Sequence, residues 1–161
     1  MGARRIPAIR IPEDRALLGY IAGIVDGEGC ISICPVFDKQ KSVSTSHALK
    51  VIVVNTDRDL ITWLVDSVGG SMCGRHVQKA TWRVPYTWTV GGQNAADLLR
   101  AIRPWLRIKA AQADVGLALR DLPRHQWRGR ALDPELVEQR GALYMQMRVL
   151  NARGCPETIS N

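Results

Sequence analysis

The stretch Leu17 to Gly29, LLGYIAGIVDGEG, limits what this chain can become more than any other. Turning by about 100° per residue, Leu17, Leu18, Ile21, Ile24 and Val25 fall on one face of a helix, and Ala16, Gly19, Ala22, Gly23 and Gly27 on the opposite one. The bulky face suits a core. The small face lets a second backbone approach closely, as spaced small residues do wherever helices pack tightly. Asp26 and Glu28 stand at the end of this helix, each followed by a glycine that favours a stop. Carboxylates at a helix C-terminus oppose the helix dipole, and a divalent cation is the simplest compensation.

A chain of 161 residues is long enough for one domain with a proper core. Its 22 Lys and Arg against 15 Asp and Glu give a net charge of +7, which fits a polyanionic partner. Arginine outnumbers lysine, a bias that points to a bacterial or phage gene, an organelle being the other possibility. No apolar run approaches the roughly 20 residues of a membrane span and no stretch has signal-peptide order; an intracellular protein with no membrane partner is expected. Cys30, Cys34, Cys73 and Cys155 form no CxxC pair, and His47, His76 and His125 are not spaced with them as zinc ligands, so reduced cysteines are expected. The motif occurs once, which suggests that the helix finds its mate in a second copy of the chain.

Residues 1–12, with Arg4, Arg5 and Arg10, read as a loose basic arm. Residues 13–122 read as the main domain. Pro12, Glu13 and Asp14 supply helix-start chemistry. After Gly29 the period changes to two, and Cys30 to Cys34 predicts a half-buried strand, with Pro35 marking a bend or a sheet edge. A polar connection, Phe37 to Ser46, leads to a second strand, Ala48 to Val54. Asn55 to Asp59 opens a helix with cap residues and early acids, and Gly69-Gly70 stops it. Ser71 to Gln78 and Trp82 to Val90 predict a second hairpin, Pro85 arguing for an edge or a bulge. Helices follow over Gln93 to Arg103 and Ala110 to Leu122. Residues 123–161 hold a basic loop and a helix from Pro134 to Ala152, expected to pack on the same domain.

Ile21 to Gly29, IAGIVDGEG, resembles the motif of the LAGLIDADG homing endonucleases. The element order, αββαββα with additional C-terminal helices, is that of the family. Val54 to Leu64, Tyr86 to Val90 with Leu98, Leu99 and Pro104 to Leu106, and Leu106 to Ala113 are similar to further family segments. The resemblance covers roughly residues 13 to 122. It implies an α+β fold with a four-stranded antiparallel DNA-binding sheet, and a homodimer that hydrolyses both strands of a long pseudo-palindromic duplex. Glu28 takes the place of the motif's last aspartate, one methylene longer, and Asn55 stands where glutamine is common.

The resemblance assigns Glu28 as direct ligand of Mg2+, with Mn2+ or Ca2+ able to occupy the site, and the Gly29 carbonyl as auxiliary ligand. Asn55 would order waters around the nucleophile and Lys109 would stabilise the phosphate, though Asn55 could serve as a helix cap and Lys109 as a solvated helix-start lysine. Asp26 suits hydrogen bonding at the helix junction better than metal binding. Gly19, Ala22, Gly23, Asp26 and Gly27 would form the dimer interface. The candidate DNA contacts are polar residues of the strands and turns: Ser32, Cys34, Lys39, Gln40, Lys41, Ser46, Lys50, Arg75, His76, Gln78, Lys79 and Arg83. Arg124, Arg128 and Arg130 would hold phosphates without reading bases. No small-molecule cofactor is expected. The same residues leave open a DNA- or RNA-binding protein that has lost cleavage, a splicing maturase or a transcriptional regulator. They also leave open a basic protein whose small-residue helix serves only oligomerisation.

Overall fold

The computed structural model describes residues 8–36, 46–74, 83–123 and 133–152. The elements run α1 (Arg15–Glu28), β1 (Gly29–Val36), β2 (Ser46–Asn55), α2 (Arg58–Val68), β3 (Ser71–Gly74), β4 (Tyr86–Gly91), α3 (Gly92–Ile102), a 3-10 turn (Arg103–Trp105), α4 (Ala110–Asp121) and α5 (Pro134–Ala152). This is the expected α+β order. The strands form one antiparallel sheet in the order β1-β2-β4-β3.

Strand alternation gives the sheet two unlike faces. Ile31 and Ile33 of β1, Leu49, Val51 and Val53 of β2, and Trp88 and Val90 of β4 are buried against the helices. Trp88 is fully enclosed and its indole N–H donates to the Gly69 carbonyl at 2.7 Å, so the largest core side chain is apolar in body and satisfied at its tip. Burying a side chain of this size contributes about 3 kcal/mol. Gly69 and Gly70 end α2 with φ of 100° and 96°, a left-handed conformation open to glycine at no steric cost. A side chain at Gly70 would also stand 2.8 Å from the Thr89 carbonyl oxygen.

Several local readings change. Pro35 lies within β1 and pairs with His47, tolerated because β1 is an edge strand. Pro85 lies outside β4, which starts at Tyr86. Since β4 is bonded on both sides, a proline inside it would delete a ladder bond. Of the strand expected over Ser71 to Gln78, Ser71–Gly74 is described and residues 75–78 lie outside the described residues; the strand expected over Trp82 to Val90 is described as Tyr86–Gly91, with Trp82 outside the described residues. The basic arm is fastened at its end: the Arg10 amide donates to the Val68 carbonyl at 2.7 Å, and Ile9 and Ile11 pack on the core.

Beyond residue 122, α5 lies on α4 and on the exposed edge of β1. Met147 is buried, Tyr144 meets the His47 ring, and the Asn151 carboxamide donates to the Ile31 carbonyl at 3.0 Å. No helix of the described residues is long and apolar enough to cross a membrane.

Candidate active site

The junction of α1 and β1 is built by a helix that stops without turning left-handed. Asp14 caps its start, its carboxylate accepting from the Ala16 amide at 2.8 Å. Leu18, Ile21, Ala22 and Val25, at the spacing of one helical face, lock the core side. Gly27 continues the helix instead of ending it, and Gly29 is already extended, its amide donating to the Val25 carbonyl. A Cβ at Gly29 would lie 2.6 Å from that oxygen and 2.8 Å from the Val25 Cα. Only glycine fits where the strand leaves the helix so sharply.

The two acids of the motif part company here. Asp26 turns back into its own chain: one carboxylate oxygen accepts from the amides of Arg107 at 2.6 Å and Ile108 at 3.3 Å, the other from the Lys109 amide at 2.9 Å. These amides precede α4, so a carboxylate unfavourable for α1 is favourable for the start of α4. Partial burial works to raise its pKa. The amides of Arg107, Lys109 and Ile108 and the Lys109 charge outweigh burial, holding Asp26 below the ordinary 3.8. A carboxyl with a depressed folded-state pKa contributes stability that is complete above its unfolded value and is lost as pH falls through the folded one. The stability advantage of wild type over Asp26→Asn is therefore expected to narrow below about pH 4; thermal unfolding of both proteins across the acid range measures it.

Lys109 reaches the same junction. Its ammonium donates to the Asp26 backbone carbonyl. With Gly29, Cys30, Gln112 and Asn151 it lines a cavity of about 450 Å3 between β1, α4 and α5. Burial raises the Cys30 thiol pKa, and the nearby Lys109 charge opposes part of that rise. Lys109 is therefore seated by contacts to α1 at the end of the motif.

Glu28, the last residue of α1, is exposed and makes no hydrogen bond or ion pair among the described residues. An exposed carboxylate beside a backbone carbonyl has the hard oxygen character that Mg2+ prefers, and Mg2+ takes only one or two carboxylates. Among the described residues no group of three or more His, Cys, Asp or Glu side chains could hold a metal. One carboxylate and one carbonyl fit part of a divalent-cation shell whose other ligands would be water or phosphate oxygens.

Asn55 ends β2, two residues past Val53, the partner of Gly29, and so lies at the same end of the sheet as the junction. Its side-chain oxygen accepts from the Asp57 amide at 2.8 Å. Asp57, rather than Asn55, caps α2, accepting from the amides of Asp59 at 2.9 Å and Leu60 at 3.0 Å. No hydrogen bond joins Asn55 to Glu28 or Lys109 among the described residues.

The small-residue face of α1 is narrower than its sequence suggested. Ala22 is fully buried within its own chain because the core phase of the helix, set by Leu18, Ile21 and Val25, takes it inward. Gly19 lies under the Trp105 ring, 3.4 Å from where its Cβ would be. Asp26 is engaged by residues 107–109. Of the five expected interface residues, Gly23 and Gly27 remain exposed, in line with Ala16 and Tyr20. Tyr20 is 56% exposed and stacks edge-on with Trp63, and Ile108, beside Asp26, is 71% exposed.

Ser32, Cys34, Ser46 and Lys50 alternate with core residues and lie on the outward face of the sheet, and Arg83 is exposed just before β4. Lys39, Gln40, Lys41, Arg75, His76, Gln78, Lys79, Arg124, Arg128 and Arg130 lie outside the described residues.

No protein-family model matches the chain, and no curated protein matches it significantly in sequence. Solved structures do match its fold. The homing endonuclease I-CvuI in complex with its DNA target and Ca has a TM-score of 0.68 at 20% identity, covering 87% of this chain and 92% of that one. An archaeal intron-encoded homing endonuclease complexed with DNA has a TM-score of 0.63 at 17% identity, over 86% of each chain. The LAGLIDADG meganuclease I-AabMI bound to uncleaved DNA has a TM-score of 0.54 at 17% identity, over 79% of this chain and 43% of that one.

Proposed function

From the fold of the LAGLIDADG homing endonucleases, we propose that this chain is a homodimeric, divalent-metal-dependent DNA endonuclease that cuts both strands of a long, nearly palindromic site. The observation that carries the reading is the junction of α1 with β1, where the exposed, unengaged Glu28 carboxylate ends the helix, Gly29 opens the strand and the Lys109 ammonium is held on the Asp26 carbonyl, at one end of an antiparallel sheet whose outward face meets no helix among the described residues. The net charge of +7 suits a polyanion.

Glu28 and the Gly29 carbonyl would hold Mg2+, with Mn2+ or Ca2+ as substitutes. A divalent ion so bound supplies an activated water and neutralises charge on the leaving 3′ oxygen. Lys109, whose amide and ammonium both bond to Asp26, would hold negative charge on the scissile phosphate. Asn55 would order water at the same sheet end after releasing its bond to the Asp57 amide. One acidic ligand per chain supports a site completed by a second copy. The exposed line of Ala16, Tyr20, Gly23 and Gly27, with Ile108 beside it, supports α1 as the meeting surface.

Incubation with a randomised palindromic duplex library in Mg2+, against a chelator control, tests the reading. Two-fold symmetric sites cut only with metal are expected. Selective binding without product in any divalent metal would instead favour a non-cleaving DNA- or RNA-binding protein of this fold, and absent or salt-insensitive DNA binding would leave only an oligomerisation helix.

A further inference from the structure

Next to the α1–β1 junction, the outward face of the sheet offers hydroxyl, thiol and aliphatic side chains. Register places Ile52 between Cys30 and Thr89, and Val54 beside Thr87, at the end where Gly29 pairs with Val53. Val54 is 43% exposed, and Cys30 is exposed as well. Among the described residues this outward face carries no Arg, Asn, Gln, Asp or Glu in any of the four strands, and its one charge is Lys50. Lys50 pairs with Ser32 on one side and Gly91 on the other, small neighbours that leave its stem room. Its ammonium has no hydrogen-bond or ion-pair partner among the described residues. Val54 and the half-buried Ile52 give this end of the face an apolar surface.

A sheet face that enters the major groove meets a fixed code. Guanine asks for Arg or Lys, adenine for Asn or Gln, and cytosine for an acid, whereas the thymine C5 methyl asks for an apolar contact or a threonine methyl. Residues on one face of a strand repeat every 6.6 Å or so, about two base-pair steps at 3.4 Å each. Val54 and Ile52 therefore span about two base pairs and Lys50 lies about two farther from the junction.

Resting on the endonuclease reading above, we infer that each half of the target carries thymines beside the cleavage position, recognised through their methyl groups by Ile52, Val54, Thr87 and Thr89, and one guanine farther out, read by Lys50. The inner part of the site is read mainly through methyl contacts, with no bidentate side chain among the described residues of this face.

The test uses the full chain and the duplexes it selects from a randomised library. The selected site is rebuilt with deoxyuridine for each inner thymidine, which removes the methyl and leaves base pairing intact, and affinity is measured in Ca2+. A loss of about fourfold for each methyl is expected, the value of one buried carbon group. Lys50→Ala is expected to flatten the guanine preference at one position per half-site by about five- to hundredfold and to leave the thymine preference in place. A chain that selects and cuts sites without inner thymines, or that binds the uracil site as tightly as the thymine site, overturns this inference alone. A chain that selects no duplex overturns it together with the endonuclease reading.

Discussion

Replacing Glu28 by glutamine is expected to abolish Mg2+-dependent cleavage, by about a thousandfold or more, while duplex binding and folding persist. The carboxamide has nearly the shape of the carboxylate but lacks the charge that holds a hard cation. Because Glu28 is exposed and makes no hydrogen bond or ion pair among the described residues, its neutralisation should change folding stability by less than about 0.5 kcal/mol. Single-turnover cleavage of a selected duplex, read beside affinity in Ca2+ and thermal unfolding, separates these effects. Cleavage by Glu28→Gln at the wild-type rate would remove Glu28 from the chemistry.

Gly23→Leu should separate the subunits and abolish cleavage together, without harming the subunit itself. The structure makes this substitution informative: Gly23 is exposed within α1, and a Cβ there meets nothing within 4 Å in its own chain. Exchanging a mid-helix glycine for leucine favours an isolated helix by up to about 1 kcal/mol, so the folded monomer is expected to hold or gain stability. In the proposed homodimer the same side chain would force two backbones apart. Sedimentation of the variant, with its unfolding temperature as control, reads the outcome. A variant that remains dimeric would show that α1 is not the meeting surface. The contrast is Gly29, where any side chain would collide with the Val25 backbone of its own chain.

What could be read from the sequence depended on how local the cause was. The inward faces of β1, β2 and β4 follow from alternation, and the stop of α2 from two consecutive glycines that adopt positive φ. The phase of α1 was legible to within one position: Leu18, Ile21 and Val25 announce the core, but alanine is small enough for either face, and only packing carries Ala22 inward. The start of α2 was legible from Asn55 to Asp59, but not which residue caps it, since Asn55 and Asp57 both have capping chemistry and both take part in the turn. The partners of Asp26 were out of reach because the amides it accepts from lie 81 to 83 residues away. A local pattern reveals an acid at the wrong end of a helix without revealing which other helix it caps. The exposure of Tyr20 and Ile108 appears only once the core is closed without them.

The central claim is that one cutting site is shared between two copies of this chain, each providing one Glu28. Mixed dimers of wild-type and Glu28→Gln chains, distinguished by an affinity tag on one of them, test it most directly on a selected duplex labelled on both strands. Wild type should break both strands in Mg2+. The mixed dimer should lose concerted double-strand cleavage, leaving the duplex intact or nicked in one strand. A mixed dimer that breaks both strands at the wild-type rate, or a wild-type monomer that cuts without its mate, would contradict the account.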